Sequence, residues 1–330
     1  MKKIKMAIVG VGYVGGNFLK VLEQRNFPLD LDAFAMFDQR TGDKRDFMGR
    51  EYTIRELKED SFDSGFDIAL LGVEGNVSEK FAPIAAAKGC VAIDNSSFFR
   101  MDDGVPLVVP EVNPDDALLH KGIIANPNCS TIQGVVALYP LHRKYGVKRI
   151  VFSTYQAVSG AGMNGLADLE RTLRGESAAY FPHQIAHNCI PHIDSFTEDG
   201  YTKEELKMVN ETRKIMHAPD LRITATAVRV PVFCGHSESV NVEFEKEYDL
   251  NELVEVLRAA PGIVVRNDFA RGEYPMPLGC ADTDEVYVGR IRRDFSAESA
   301  VNLWIVADNA RKGAATNAVQ IAELLCKNMW

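Results

Sequence analysis

Residues 4–18 read IKMAIVGVGYVGGNF, a short apolar run that leads into a glycine-rich turn and then into a helical pattern. The glycines follow the spacing Gly-x-Gly-x-x-Gly, directly after a predicted strand and at the start of a predicted helix. Glycines let the backbone approach a pyrophosphate at a helix N-terminus. The stretch therefore predicts the first turn of a dinucleotide-binding domain. The residues expected to meet the cofactor here are Gly10, Gly12, Tyr13, Val14 and Gly15.

Outward from this turn, apolar runs alternate with helical stretches as far as about residue 148. This alternation is typical of a parallel sheet with helices on both faces. The predicted strands are Ile4–Val9, Phe34–Phe37, Ile68–Leu71, Val91–Ile93, Leu107–Val109 and Ile123–Ala125. Longer strand-like runs then predict a second, mixed α+β domain. These runs are Ile150–Thr154, Arg222–Val230, Ser239–Glu245, Glu285–Arg292 and Val301–Val306.

Composition sets limits on the function. The 330 residues are 46% hydrophobic and 25% charged, enough apolar material for two domains. A formal net charge of -9 argues against binding to nucleic acid. No apolar stretch approaches the roughly 18–20 residues of a membrane span, and the N-terminus lacks a secretory cleavage pattern. The six cysteines lack metal-ligand spacing. We therefore expect a cytoplasmic protein with a small-molecule substrate, no metal and no membrane or nucleic-acid partner.

The choice of dinucleotide depends on the end of the second predicted strand. Asp38 stands roughly 20 residues past the glycines, where a carboxylate can bind the adenosine ribose and repel a 2′-phosphate, which favours NAD. Arg40 and Thr41 follow, and an arginine here can bind the 2′-phosphate of NADP. A solvated charged turn is the simpler alternative for these two residues. The pattern leaves NAD and NADP both open.

A candidate nucleophile lies where the strand Ile123–Ala125 runs into Asn-Pro-Asn-Cys-Ser-Thr at 126–131, followed by an apolar helical stretch. Cys129 is thus at a strand-to-helix turn. Exposed amides and the helix dipole stabilise a thiolate there, and the thiolate is the nucleophilic form of cysteine. The other five cysteines are more simply explained as small hydrophobic residues.

These residues carry a specific resemblance. The segment 126–131, with Asp94–Ser97 and Arg100 upstream, resembles bacterial-type aspartate-semialdehyde dehydrogenases, and the match continues along the whole chain. Three further segments match: Tyr155–Gly162, which contains Gln156; Arg229–His236; and Asn309–Ala315. Glu211 and Lys214 match the Glu-x-x-Lys pair of the family.

The resemblance implies an activity: reduction of L-aspartyl 4-phosphate to L-aspartate 4-semialdehyde, with hydride from NAD(P)H, through a thioester on Cys129. The pathway implied is lysine, threonine and methionine biosynthesis. His236 would be the acid–base residue, and Gln156 would orient the thioester carbonyl. The implied substrate-binding residues are Arg100 and Lys214 for phosphate, Arg229 for the α-carboxylate, Glu211 for the ammonium group, and Asn128. Ser159, Gly160 and Asn309 would contact the cofactor. From spacing alone, Glu211 and Lys214 are equally a surface ion pair.

The implied architecture is α/β: an N-terminal Rossmann-like domain of residues 1–130, completed by a C-terminal helix at 309–330, and an α+β catalytic and dimerisation domain with a mixed sheet at 131–308. A homodimer or homotetramer is implied. The family usually has Gly-Ala-Thr-Gly-x-x-Gly in the first loop and a small or hydroxyl residue where Asp38 stands. NADP is therefore the family expectation, while Asp38 leaves NAD or dual use open.

Three alternatives remain at this level. N-acetyl-glutamyl-phosphate reductase shares the fold plan, but its motif resembles Asn-Pro-Gly-Cys and its substrate has no free ammonium group, so Asn128 and Glu211 favour the aspartyl substrate. An acylating aldehyde dehydrogenase that uses coenzyme A would not require phosphate-binding cations. A non-catalytic dinucleotide-binding paralogue would typically have lost the cysteine or its partners, which are present here.

Overall fold

A computed structural model describes residues 2–329, so Met1 and Trp330, the ends of the predicted first domain, lie outside the described part. The elements as far as the nucleophile turn are β1 (Met6–Val9), α1 (Tyr13–Gln24), β2 (Ala35–Phe37), β3 (Lys44–Phe47), β4 (Arg50–Thr53), β5 (Ile68–Leu71), α2 (Gly75–Ala87), β6 (Val91–Asp94) and β7 (Ile123–Ala125). The remaining elements are α3 (Cys129–Tyr145), β8 (Val147–Gln156), α4 (Gly162–Leu173), α5 (Lys203–Ile215), β9 (Arg222–Arg229), β10 (His236–Phe244), α6 (Leu250–Ala259), β11 (Ile263–Val265), β12 (Val286–Arg293), β13 (Ala300–Ala307) and α7 (Thr316–Met329).

The chain divides into two compact units. The first contains the residues up to Pro127 and those from Ala314 onward, and the second is Asn128–Gly313. The division predicted from the sequence, after residue 130, placed Cys129 in the first domain. In the structure Cys129 belongs to the second unit. Helix α3, with Cys129 at its start, therefore lies in the unit that also carries Gln156, Arg229 and His236.

The first unit is built on a five-stranded parallel sheet with the order β2-β1-β5-β6-β7. All residues of β1, an interior strand, are buried, as expected for a strand covered on both faces. The turn after it needs glycine twice. Gly10 has a φ of +84°, and a Cβ on Gly15 would collide with the Gly10 carbonyl oxygen. The predicted parallel sheet and its glycine turn are confirmed.

The predicted strand at Leu107–Val109 is wrong. The segment makes only an isolated bridge, from Leu107 to Ala125. The buried side chain of Asn113 occupies its hydrogen-bonding groups, because Oδ1 accepts from Val109 N at 2.9 Å and Nδ2 donates to Leu107 O at 2.8 Å. A side chain has thus taken the place of a neighbouring strand. The hairpin β3–β4 was not predicted, since its strands are short, charged and largely exposed.

The second unit contains a six-stranded mixed sheet with the order β11-β12-β13-β10-β8-β9. Strand β10 is antiparallel to both β8 and β13, whereas β8 and β9 are parallel. Helix α3 packs against β8, β10, β12 and β13, and most of its residues are buried. The mixed sheet predicted for the second domain is confirmed. Strand β8 ends at Gln156, β9 ends at Arg229 and β10 begins at His236, so these three residues lie at the same edge of the sheet.

The C-terminal helix belongs to the first unit. It was predicted to start at Asn309, but a π-helical turn at Arg311–Ala315 comes first and α7 begins at Thr316. In the first unit, α7 packs against α1, β6 and the 3₁₀ segment Pro114–Leu119. Among the described helices, none combines the length and the apolar character needed to cross a membrane.

Candidate active site

A cavity of about 560 Å³ lies at the carboxyl ends of β1, β2 and β5 in the first unit. This is the position at which parallel sheets of this kind bind ligands. Four of the residues predicted to contact the cofactor line this cavity, namely Gly10, Gly12, Asp38 and Thr41. A side chain would collide with backbone at Gly10 and Gly15, whereas the space beside Gly12 is open, so the bare turn fits a bound dinucleotide pyrophosphate.

Asp38 is tied to the glycine turn. Its Oδ2 accepts a hydrogen bond from Val11 N at 2.6 Å, and its Oδ1 accepts one from Arg40 N at 3.2 Å. Burial alone would raise the pKa of the Asp38 carboxyl, but the amide donors and the Arg40 charge outweigh burial and lower it. The Arg40 guanidinium lies 3.4 Å from Asp38 and extends to within 4.0 Å of the Cβ position of Gly12. A half-exposed cation thus stands beside the turn.

Arg100, the predicted phosphate ligand, is also in the first unit, where it is buried. Its Nη2 donates to the Asn95 carbonyl oxygen at 2.9 Å. The loop that carries both residues is held at the end of β6 by Asp94, which accepts hydrogen bonds from Ser96 N, Ser96 Oγ and Ser78 Oγ.

Cys129 is the first residue of α3 in the second unit and is partly exposed. Asn128 is the N-cap, and its Oδ1 accepts from Ser130 N at 3.0 Å and Thr131 N at 3.3 Å. The thiol therefore stands at the positive end of the helix dipole, which favours an anion. A Cβ on Gly313 would lie 2.9 Å from the Cβ of Cys129, so only glycine allows this approach of the chain.

Asn128 is fixed by two carboxylates from α5. Its backbone N–H donates to Glu211 Oε2 at 2.7 Å, and its Nδ2 donates to Glu204 Oε1 at 2.9 Å. Glu211, predicted as the ammonium ligand, thus holds the nucleophile turn. Lys214 lies one turn further along α5 and is half-buried.

Glu204 and Lys207 are site residues that the sequence analysis missed. The buried Glu204 carboxylate also accepts from Gln156 Nε2 at 3.2 Å and from Lys207 Nζ at 3.2 Å. Lys207 bonds Asp194 as well, at 2.7 Å. Burial would raise the pKa of Glu204, but Lys207, the Asn128 hydrogen bond and the Arg229 charge together lower it. Glu204 is therefore an anion at neutral pH.

The signal for this pair was present in the sequence. Glu204 and Lys207 have the same Glu-x-x-Lys spacing as Glu211 and Lys214, and they lie about two helical turns earlier in the chain. Residues seven apart share a helix face, so spacing alone cannot choose between the two pairs. The contacts with Asn128 and Gln156 distinguish them.

Arg229 ends β9 as a buried cation. Its Nη1 donates to the Ala157 carbonyl oxygen at 2.7 Å, and its guanidinium lies 5.9 Å from the centre of the Phe181 ring. Burial lowers the pKa of Arg229, and the charges of Glu204 and Cys129 act in the opposite direction. Arginine stays protonated at physiological pH, so it offers a positive charge beside the thiol.

His236 begins β10 and is fully buried. Its Nδ1 accepts a hydrogen bond from Ala157 N at 3.0 Å, which assigns the proton of the neutral ring to Nε2. Burial and then the charge of Arg229 place the pKa of His236 well below its ordinary value. The resting ring is therefore neutral and carries its proton on Nε2.

Gly160 closes over these two side chains. A Cβ here would lie 2.8 Å from Arg229 Nη1 and 3.2 Å from His236 Nε2, so a larger residue would displace them. The neighbouring Ser159 Oγ donates to Asn309 Oδ1 at 3.0 Å, which also accepts from Gly235 N at 3.0 Å. Asn309 thereby fixes the loop that precedes the histidine.

The second unit thus brings together most of the predicted catalytic and substrate-binding residues. Those linked by the contacts above are Asn128, Cys129, Gln156, Glu211, Arg229 and His236. Gly160, which was predicted to contact the cofactor, lies against Arg229 and His236. A thiol at a helix terminus, beside an arginine, a carboxylate and a neutral imidazole donor, suits covalent catalysis on a small charged acyl group. The described residues contain no group of three or more His, Cys, Asp or Glu side chains placed to hold a metal ion.

Comparison with known proteins identifies the family. Residues 5–120 match the family described as semialdehyde dehydrogenase, NAD binding domain, and residues 138–312 match semialdehyde dehydrogenase, dimerisation domain. The aspartate-semialdehyde dehydrogenase of Aquifex aeolicus is 54% identical over 333 residues, which cover 98% of each chain. That of Bacillus subtilis is 45% identical, again over 98% of each chain.

A solved structure gives the same result. Aspartate semialdehyde dehydrogenase II of Vibrio cholerae, crystallised in complex with ASA, has a TM-score of 0.95, is 44% identical, and the alignment covers 100% of both chains. Sequence and fold therefore agree, and the chain belongs to the aspartate-semialdehyde dehydrogenase family.

Proposed function

We propose that the protein converts L-aspartyl 4-phosphate into L-aspartate 4-semialdehyde through a thioester on Cys129, in the pathway that supplies lysine, threonine and methionine. The observation that carries this proposal is the position of Cys129. It is the first residue of α3, beside the Arg229 cation and the Glu204 anion, with which Gln156 is hydrogen-bonded. No other described cysteine stands at the first residue of a helix.

The proposed reaction has three steps: thioester formation, hydride transfer and collapse of the hemithioacetal. The Cys129 thiolate attacks the acyl carbon, the C–S bond forms, and the C–O bond to phosphate breaks. A dinucleotide held in the cavity lined by Gly10, Gly12 and Asp38 would supply a hydride to the thioester carbon. The resulting hemithioacetal oxyanion collapses to the aldehyde and returns the thiolate. One proton is consumed overall, and it ends on the released phosphate.

His236 contributes as a hydrogen-bond donor. With its proton on Nε2, the ring stabilises the oxygen that becomes negative during hydride transfer. The base role predicted from the sequence would require the proton on Nδ1, and the ring would have to give up its bond with Ala157 N. Gln156, at the end of β8, stands beside Glu204 and orients the thioester carbonyl.

Each charged group of the substrate is bound by a residue of opposite charge. Arg229 pairs with the α-carboxylate, for which a planar guanidinium is well suited. We assign Glu204 to the substrate ammonium group and Lys207 to the phosphate, in the roles predicted for Glu211 and Lys214. Glu211 instead supports Asn128, and Arg100 remains the second phosphate ligand proposed. A carboxylate that binds an ammonium group favours an amino acid substrate over an N-acetylated one.

For the cofactor we propose that NADP and NAD are both used. Asp38 is already occupied by Val11 N and Arg40, so its charge is partly compensated and a 2′-phosphate is not rejected outright. Arg40 supplies the cation for that phosphate. Ser159, Gly160 and Asn309 are proposed to meet the nicotinamide half. We further propose a homodimer, on the match of residues 138–312 to a dimerisation domain, and a cytoplasmic location.

Turnover tests the activity directly. Wild-type protein should oxidise aspartate semialdehyde in a phosphate-dependent reaction, followed by the absorbance of the reduced cofactor. Cys129→Ala should abolish turnover, because no other described cysteine stands at a helix N-terminus. Cys326→Ala, a buried thiol in α7, is the matched control and should retain activity. A folded wild-type protein with no turnover would refute the proposed activity.

The two Glu-x-x-Lys pairs can be separated by amide substitutions. Glu204→Gln should lower kcat/KM by about 100-fold, the effect of losing a charge-assisted hydrogen bond to the substrate. Glu211→Gln should lose less, since an amide oxygen can still accept from Asn128 N. Steady-state kinetics with aspartate semialdehyde gives both values. The opposite order would assign the ammonium group to Glu211, as the sequence spacing predicted.

Cofactor choice is tested at the second strand. Arg40→Ala should lower kcat/KM with NADP by about tenfold or more and change the value with NAD little, because one phosphate contact is lost. Asp38→Asn should shift the ratio toward NADP, since it removes a negative charge near the 2′-phosphate. An NADP-to-NAD ratio that Arg40→Ala leaves unaltered would contradict the proposed role of Arg40.

A further inference from the structure

Glu238 is a fully buried carboxyl group to which the mechanism above gives no role. It lies on β10 two residues after His236, and therefore on the same face of the strand. A Cβ on Gly134 would lie 3.3 Å from Glu238 Oε2, so the carboxyl group packs directly under the second turn of α3. Its partners in the sheet register are Thr154 and Ile305, neither of which ionises.

The hydrogen-bonding groups around Glu238 do not match an ionised carboxylate. Neither of its oxygens has a hydrogen-bond partner among residues 2–329, and Gln133 Oε1 has none either. The Gln133 side chain is the polar group that lowers the pKa of the Glu238 carboxyl group. An ionised Glu238 would leave a buried charge uncompensated, whereas a protonated one supplies a donor. Burial agrees, because it raises the pKa of Glu238 well above its ordinary value despite the opposing effect of Gln133.

Gln133 links this carboxyl group to the catalytic histidine. Its Nε2 donates to the His236 carbonyl oxygen at 3.4 Å. It also follows Cys129 by four residues, so the two side chains share one face of α3. Gln133 therefore joins the helix that carries the nucleophile to the strand that carries the histidine.

The orientation of the Gln133 amide depends on the charge of Glu238. An amide has one donor end and one acceptor end, and its donor end is turned toward the His236 carbonyl oxygen. A carboxylate beside it would attract the NH₂ group and turn the amide away from His236. A protonated carboxyl group satisfies Oε1 and leaves the NH₂ group on His236.

We propose that Glu238 is a positioning residue for the reaction: as a neutral acid it donates a hydrogen bond to Gln133 Oε1, and Gln133 in turn holds His236 in register with Cys129. The inference rests on the proposed function, because it concerns the same site. It assigns Glu238 no contact with substrate or cofactor.

Infrared spectroscopy tests the neutral acid without any dependence on turnover. At mildly alkaline pH, wild-type protein should show the C=O stretch of a protonated carboxyl group, and Glu238→Gln should lack it. Glu243→Gln is the matched control on the same strand, since the pKa of Glu243 is lowered, first by its hydrogen bond with Lys148. This variant should keep the band. Absence of the band from wild type, or its persistence in Glu238→Gln, overturns the proposal.

Kinetics tests the positioning. Glu238→Gln can still donate to Gln133, so its kcat should stay within about threefold of wild type, whereas Glu238→Met, similar in size but without a donor, should lose about tenfold or more in kcat with KM little changed. Rescue by glutamine but not by methionine supports the proposal. A large loss in folded Glu238→Gln, or equal kcat values for the two variants, overturns it. If Glu238→Met does not fold, the infrared band and the kcat of Glu238→Gln still decide. Wild-type protein without turnover would refute the proposed function and leave the infrared result valid.

Discussion

The hydrogen bonds of Asn128 are the constraint on which the catalytic arrangement depends. Its side-chain oxygen caps α3, its side-chain NH₂ group binds Glu204, and its backbone N–H binds Glu211. Each polar group of the residue therefore has a partner, and the direction of the first turn of α3 is fixed. Because Cys129 is the next residue, the thiol has little freedom to move away from Arg229. Two carboxylates of one helix thus position the nucleophile without touching it.

Beneath this turn lies a layer of buried polar side chains between α3 and the mixed sheet. Such a layer is costly unless its donors and acceptors match. Two of its members follow the same rule: His236 and Glu238 are buried without a partner of opposite charge, and both are best accommodated as neutral groups. The charged residues of the site, Arg229 and Glu204, instead compensate each other. In the proposed mechanism, the site therefore offers a fixed pair of charges to the substrate and neutral donors to the reacting atoms.

The sequence predicted what depends on local pattern. The buried runs and glycine spacing around Gly10 and Gly15 predicted the parallel sheet and its cofactor turn, and the resemblance predicted Cys129 and His236. Side-chain contacts decided the rest. The wrong strand at Leu107–Val109 arose because the side chain of Asn113, a few residues further along the chain, takes the hydrogen bonds of this apolar run. Glu204 was missed because two identical spacings share one helix face. The choice between NAD and NADP stayed open because it depends on the position of the flexible Arg40 side chain.

The most direct test of the account is the mass of the enzyme after it reacts with aspartate semialdehyde and the oxidised cofactor in the absence of phosphate. Without phosphate the thioester has no acceptor, so the intermediate should accumulate. The account predicts that the chain gains the mass of one aspartyl group, that the label maps to Cys129 after digestion, and that phosphate removes it. A chain without this adduct while the cofactor is reduced, or an adduct on another residue, would contradict the central role of Cys129.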